Sequence, residues 1–237
     1  MYIRFSIVLK AVCCFLGVAG QDFIWQNEKA LFQYQDASTC FNKSSSDVYF
    51  QMKATNIQRT LVVDNKGVGR YANVKCWSVV YSKQDQENVK AERNYKYLRT
   101  GDGYSNFNLV IIFSLIFADE CEMYCSSDAA PEEVEAKSAL NYSRKNAIEY
   151  IYESEGLTKE TDVVTFTDGK SCDLFHVPRM NDGKGCELWV NSRYKKSVPP
   201  CCAFIFELLC GAVGSHDVYE QDLCKPVVTK WQNELKN

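Results

Sequence analysis

The chain has 237 residues, of which 46% are hydrophobic and 24% charged, so it can bury a sizeable core and is not an extended polar segment. Its 27 lysines and arginines against 30 aspartates and glutamates give a formal charge of −3, which leaves no basic surface for nucleic acid. The longest internal apolar run, LVIIFSLIFA at 109–118, stops at Asp119 and is too short for a membrane helix.

Residues 1–20 carry Arg4, then an apolar run, then Gly17, Ala19 and Gly20, the layout of a secretory signal peptide cut near Gly20. Losing Arg4 and Lys10 moves the mature charge to about −5. Residues 21–237 are expected to form a single domain, because only five prolines are available to mark a linker, and the mature protein is expected to be secreted, extracellular and monomeric. The stretch DFIWQNEKALFQYQDAS mixes Trp25, Leu31, Phe32 and Tyr34 in a pattern that predicts a short helix before the first strand.

From there the hydrophobic period becomes two. VYFQMKAT (48–55) alternates Val48, Phe50, Met52 and Ala54 against Tyr49, Gln51 and Lys53, as a half-buried strand does. Further strands are predicted at 75–82, 94–100, 108–117, 147–153, 162–167, 172–177 and 186–190, eight in all. Turn chemistry separates them, at GDG (101–103), DGK (168–170) and NDGKG (181–185). The acidic DAAPEEVEAK (128–137) reads as a solvated loop or helical turn. In CCAFIFELLC (201–210) the period changes to that of a helix, with Cys202, Phe206, Leu209 and Cys210 on one face and Gly211 at the C-cap. Eight antiparallel strands followed by one helix predict an all-β fold, a closed barrel with the helix on its outer wall and room for one small ligand inside.

Of twelve cysteines, Cys13 and Cys14 leave with the signal, and the even remainder in a secreted chain argues for up to five disulfides. Cys121 and Cys125 form a C-x3-C pair, but with no histidine nearby we expect no metal, and no cofactor either. Asn42 and Asn141 stand in N-x-S sequons suited to glycosylated surface loops. Catalysis is not expected. The chain lacks G-x-S-x-G, H-E-x-x-H and a phosphate loop, and its two histidines read as a wall residue (His176) and an exposed turn residue (His216).

VYFQMKATN, CDLFHVP, CELWV after a Gly-rich turn, PPCC opening a helix, and DVYEQDLC near the end together resemble the tick salivary histamine-binding lipocalins, in the same order across roughly residues 25 to 224. The resemblance implies an eight-stranded lipocalin barrel. It also implies a disulfide from Cys76 to Cys224 and another from Cys172 to Cys201 or Cys202 at the helix head. We assign the other helix-head cysteine to Cys40, Cys186 to Cys210, and Cys121 to Cys125 as a small closed loop, although sequence alone does not fix connectivity.

In CELWV a period of two puts Glu187 and Trp189 on one face and Cys186, Leu188 and Val190 on the other. Composition alone would turn the acidic and aromatic pair outward; the resemblance turns it toward the ligand cavity. An inward carboxylate in an apolar barrel needs a neutralising partner, which a cationic guest supplies. The resemblance also implies an aromatic contact at Tyr150, which shares a strand face with Ile148. It implies a second, more polar amine site using positions like Asp162 and Asp173 with Trp189. For the tyrosine, core packing is the rival reading; for the aspartates, turn capping. The sequence departs from the family at Asn56 and Arg59, where the tight amine site has a tyrosine and an aspartate, and at Glu160, where a phenylalanine is expected. An inward Arg59 would repel an amine unless the longer segment before Cys76 brings Asp64 into use.

The expected function is therefore a secreted binder of a small host mediator, foremost a biogenic amine such as histamine or serotonin. Two alternatives stand beside it. One is a leukotriene or fatty-acid carrier, motivated by Arg59 and the apolar strand at 108–117. The other is a loop-mediated inhibitor of complement or a protease, acting through 118–146.

Overall fold

The computed structural model describes residues 23–26, 29–63, 69–85, 87, 89–101, 126–128, 131–152 and 158–236. The predicted signal peptide, the strand at 108–117, Asp64, Cys121 and Cys125 lie outside the described residues.

Strand β1 (Tyr49–Ala54) runs antiparallel to β10 (Gly185–Asn191), and β10 to β9 (Cys172–Val177). The ring continues through β8 (Thr158–Thr167), β7 (Ala147–Tyr152), β6 (Glu132–Lys137), β4 (Lys90–Gly101) and β3 (Gly69–Ser82). Pairing of β3 with β1, Val79 opposite Tyr49 and Ser78 opposite Phe50, closes it. These eight strands form a closed antiparallel barrel, which removes every exposed sheet edge from the wall. Outside the ring, β2 (Arg59–Val63) extends β3, β5 (Ser126–Asp128) adds to β4, and the short β11 (His216–Asp217) adds to β1.

Strands β2, β5, β6 and β11 were not in the sequence reading, and β3, β4 and β8 begin four to six residues before the predicted starts. The acidic stretch is not a solvated loop: Glu132–Lys137 is barrel strand β6, with Val134 and Ala136 buried between more exposed glutamates. Its alternation is real but carries only two small apolar residues, too few to outweigh the acidic composition. Residues 59–63 form a strand that the polar sequence around them concealed.

Alternation sorts the wall residues into two cores. Val48, Phe50, Leu174, Leu188 and Val190 pack outward under two helices, α2 (Pro200–Cys210) and α3 (Lys225–Glu234). Tyr49, Val79, Tyr81, Ile148, Phe175 and Trp189 pack inward, joined by Ala37, Cys40 and Phe41 of α1 (Ala37–Phe41), which plugs one end of the barrel. Helix α1, capped by the Asp36 side chain accepting from Ser38 N, and a single 3-10 turn at Phe32–Tyr34 realise the expected N-terminal helix. Helix α3 was not anticipated.

Helix α2 begins with Pro200 in its first turn, where a missing N–H costs nothing, and ends at Gly211. It buries Cys202, Ile205, Phe206 and Cys210 against β9 and β10. Three disulfides fasten the outer layer: Cys76–Cys224 ties β3 to the start of α3, while Cys172–Cys202 and Cys186–Cys210 hold both ends of α2. With separations of 148, 30 and 24 residues, the chain-entropy model assigns about 5 kcal/mol to the first and about 3.5 kcal/mol to each of the others. The expected Cys40–Cys201 bridge is not formed. Cys40 is buried in the inner core on α1 and Cys201 is exposed on the outer helix, so the barrel wall stands between them.

Candidate functional site

The inner faces of the strands converge on a cavity of about 160 Å³. Strand β10 supplies Glu187 and Trp189, β7 supplies Tyr150, β4 supplies Arg93 and Tyr95, and β3 supplies Trp77. Gln58 before β2, Glu132 at the head of β6 and Arg179 in the turn after β9 complete the lining.

Glu187 and Trp189 do face inward, because Cys186 and Leu188 on the alternate positions belong to the outer core. Glu187 is 5% exposed. Its Oε2 accepts from Trp189 Nε1 at 3.0 Å, and its Oε1 is buried with no hydrogen-bond partner. Burial first, and then the charge of Asp162, raise the Glu187 pKa above its ordinary value.

Arg93, 2% exposed, lies within 6 Å of the rings of Tyr81 (5.3 Å), Tyr95 (5.0 Å), Tyr150 (5.4 Å), Phe175 (5.9 Å) and Trp189 (5.6 Å). Five ring faces around one guanidinium replace part of the hydration it gives up. Its Nη1 donates to the Tyr150 hydroxyl at 2.7 Å, and that hydroxyl is bonded to the Asp162 carboxylate. Asp162 takes Arg179 Nη1 at 2.5 Å, and Arg179 Nε meets Glu160 at 3.1 Å near the rim. Burial raises the Asp162 pKa and Arg179 opposes it. Burial likewise raises that of Glu132, against the field of Arg93. Asp162 holds the direct ion pair with Arg179, whereas Glu187 has only an indole N–H.

This network leaves specific groups unmet. Among the described residues, Glu187 Oε1, Arg93 Nε and Trp77 Nε1 all belong to cavity-lining side chains and have no partner. Inside, three carboxylates (Glu132, Asp162, Glu187) face two guanidiniums (Arg93, Arg179), so full ionisation leaves one uncompensated negative charge. That balance suits a guest with one positive charge. Among the described residues, the cluster with ligand-like spacing, Asp168, Cys172 and Cys202, includes the two cysteines of a disulfide.

The sequence-predicted residues are divided by the structure. Glu187, Trp189 and Tyr150 meet around the cavity. Ile148 is fully buried in the inner core opposite Asp162, behind the lining. Asp162 is reached through Arg179 rather than from the cavity. Asp173 stands opposite Trp189 on β9 and is engaged by Lys43 Nζ at 3.1 Å, away from the cavity lining. Asn56 is exposed and takes no part in the lining; Arg59 is also exposed, with its Nε on Asn73 Oδ1 at 3.2 Å. Asn42 and Asn141, the sequon residues, are both exposed. Sequence reasoning missed Arg93, Arg179, Trp77, Tyr95, Glu132 and Gln58. A signal existed for β4, where Arg93, Tyr95 and Tyr97 recur at a period of two. None existed for Arg179, which stands in a turn.

A family described as tick histamine binding protein matches residues 25–226. A male-specific histamine-binding salivary protein of Rhipicephalus appendiculatus is 26% identical over 226 residues, covering 93% of this chain and 95% of the relative. Among solved structures, the AM182 serotonin complex aligns with a TM-score of 0.49 at 18% identity, covering 80% of this chain and 92% of that one. Japanin from Rhipicephalus appendiculatus bound to cholesterol aligns with a TM-score of 0.45 at 15% identity, covering 75% and 95%. With the closed eight-stranded barrel, its inward carboxylate and a family match over most of its length, this chain belongs to the tick histamine-binding protein family.

Proposed function

We propose that this chain is a secreted carrier that takes one small aromatic amine, with a single positive charge, into the barrel and so removes it from solution. The observation that carries the reading is Glu187: a buried carboxyl beside an indole, with one oxygen left unpaired on a cavity wall. An ammonium about 4 Å from that carboxylate gains roughly 4 kcal/mol at an effective dielectric of 20, and an aromatic face adds about 1 to 2 more. A volume of about 160 Å³ suits a molecule of that size. Histamine and serotonin are the first two amines to titrate, histamine because the 26% identical relative is named for it.

The lipid alternative loses one of its two motives at Arg59, whose exposed position keeps it from meeting a carboxylate inside the barrel, and the other, the apolar strand at 108–117, lies outside the described residues. The inhibitor alternative rests on a region whose cysteines lie outside the described residues. Calorimetric titration of the purified protein tests the proposal. We expect micromolar or tighter binding of histamine or serotonin, weakened at least 100-fold in Glu187→Gln, the loss of nearly 3 kcal/mol. Absence of heat with both amines, or equal affinity in the variant, overturns it.

A further inference from the structure

Two hydrogen-bond donors on the β3–β4 wall of the barrel have no acceptor. Arg93 donates through Nη1 to the Tyr150 hydroxyl at 2.7 Å, but its Nε–H is buried without a partner among the described residues. Trp77 is half-buried, and its Nε1–H is enclosed without a partner in the same way. The two side chains are joined by Tyr95. The Trp77 indole meets the Tyr95 ring edge-on with centres 5.6 Å apart, and the Arg93 guanidinium carbon lies 5.0 Å from the centre of that ring. All three side chains line the cavity.

A buried donor left unmet costs more than a made hydrogen bond returns, so such groups point to an absent acceptor. The protein's own acceptors on this side are engaged: the Tyr150 hydroxyl with Arg93 and Asp162, and the Glu132 carboxylate with the Tyr95 hydroxyl. The unmatched Glu187 Oε1 stands on β10, two strands from β3 and three from β4 round the ring. One wall thus offers an acceptor without a donor, and another offers donors without an acceptor. An ammonium alone answers the first and leaves the second unmet. A carboxylate on the guest would answer the second but return the negative charge that the ammonium removes, so the missing acceptor is neutral.

We infer that Arg93 and Trp77 together read a neutral acceptor on the ring of the guest, a phenolic hydroxyl or an unprotonated ring nitrogen, and so select such amines over the bare arylalkylamine. This rests on the function proposed above and narrows it to amines that carry an acceptor away from the ammonium.

Matched amines test it by calorimetric titration. Tyramine differs from phenethylamine, and serotonin from tryptamine, by one hydroxyl. We expect the hydroxylated member of each pair to bind about 10-fold or more tightly, as in sites built to bond a hydroxyl. Arg93→Lys keeps the charge and loses the Nε–H, and Trp77→Phe keeps an aromatic ring and loses the indole donor. Each should narrow the tyramine preference by about 3-fold or more. A loss of packing that weakens both amines alike leaves this ratio unmoved. Should Arg93→Lys fail to fold, Trp77→Phe and the wild-type pairs carry the test. Equal affinity within either pair, as a bound water meeting both donors would give, or an unchanged ratio in a folded variant, overturns the inference and leaves the proposed function in place. Binding of none of the four amines overturns both.

Discussion

Glu187 is held in a place that suits a bound cation and not the empty barrel. Its pKa is raised above the ordinary carboxylate value, mainly by burial. A group shifted in that direction stabilises the fold fully below its unfolded pKa and loses that contribution as pH rises through the folded value. Near neutral pH the empty protein must hold either a poorly solvated charge or a proton taken up at a cost. Glu187→Gln keeps an acceptor for Trp189 Nε1 and removes the charge. We expect it to stabilise the empty protein at pH 7 by about 1 kcal/mol or more, a rise in Tm of about 2–4 °C, with a flatter pH dependence above the ordinary carboxylate range. A lower Tm, or an unchanged pH slope, would show that Glu187 is already satisfied. Strand alternation in CELWV put Glu187 and Trp189 on one face, but only the family resemblance turned that face inward, since composition alone would have turned it to solvent. Arg93 was not read as a site residue, because the predicted strand began at Asn94 and so left it in the preceding turn. A basic side chain inside an apolar barrel also runs against composition; five rings gathered around it from five different strands, the Tyr150 hydroxyl and the nearby Glu132 carboxylate make its burial tolerable.

At the scale of elements, strands with clean alternation and apolar content, β1, β7, β9 and β10, were read within a residue or two of their ends. Strand β6 was not, because its glutamates dominate its composition. The N-terminal segment is a different case, since its structure depends on what it covers. Phe23 and Trp25 stack on each other at 5.0 Å and lie over His176 on the outer face of β9, with ring centres 4.3 Å and 5.3 Å away. Trp25 is 1% exposed and packs with Ala147 and Val163, so the segment straps strands β7 to β9. Burial lowers the His176 pKa to about 4. The unfolded chain takes up a proton near pH 6.5 and the folded chain only near pH 4, so stability falls as pH drops through that window. Trimmed for solvent screening, the loss between pH 7 and pH 5 is about 1–2 kcal/mol. Thermal denaturation should show this loss in wild type and not in His176→Leu. An identical acid slope in the two would mean that the strap does not depend on a neutral imidazole.

For the whole molecule, selectivity follows from volume and charge together. The cavity lined by Trp77, Arg93, Tyr150, Glu187 and Trp189 measures about 160 Å³. Within it, Lys43 already neutralises Asp173, and Arg93 and Arg179 offset two of the remaining three carboxylates. One negative charge is left, in a setting where like charges a few ångströms apart repel by several times their interaction in water. A monocationic aromatic amine brings the interior to neutrality. An aliphatic diamine of similar size overshoots by one charge that must sit near Arg93 or Arg179, and an organic anion adds to the charge already present. We therefore expect 1,4-diaminobutane to compete with a bound aromatic monoamine at least 10-fold more weakly than a second aromatic monoamine does, and a long-chain fatty acid not to compete at all. Competition followed by the intrinsic fluorescence of the cavity tryptophans, Trp77 and Trp189, measures both. Equal competition by the diamine would mean that the guanidiniums do not set the charge of the cavity, and displacement by the fatty acid would mean that the barrel opens well beyond the volume these side chains enclose.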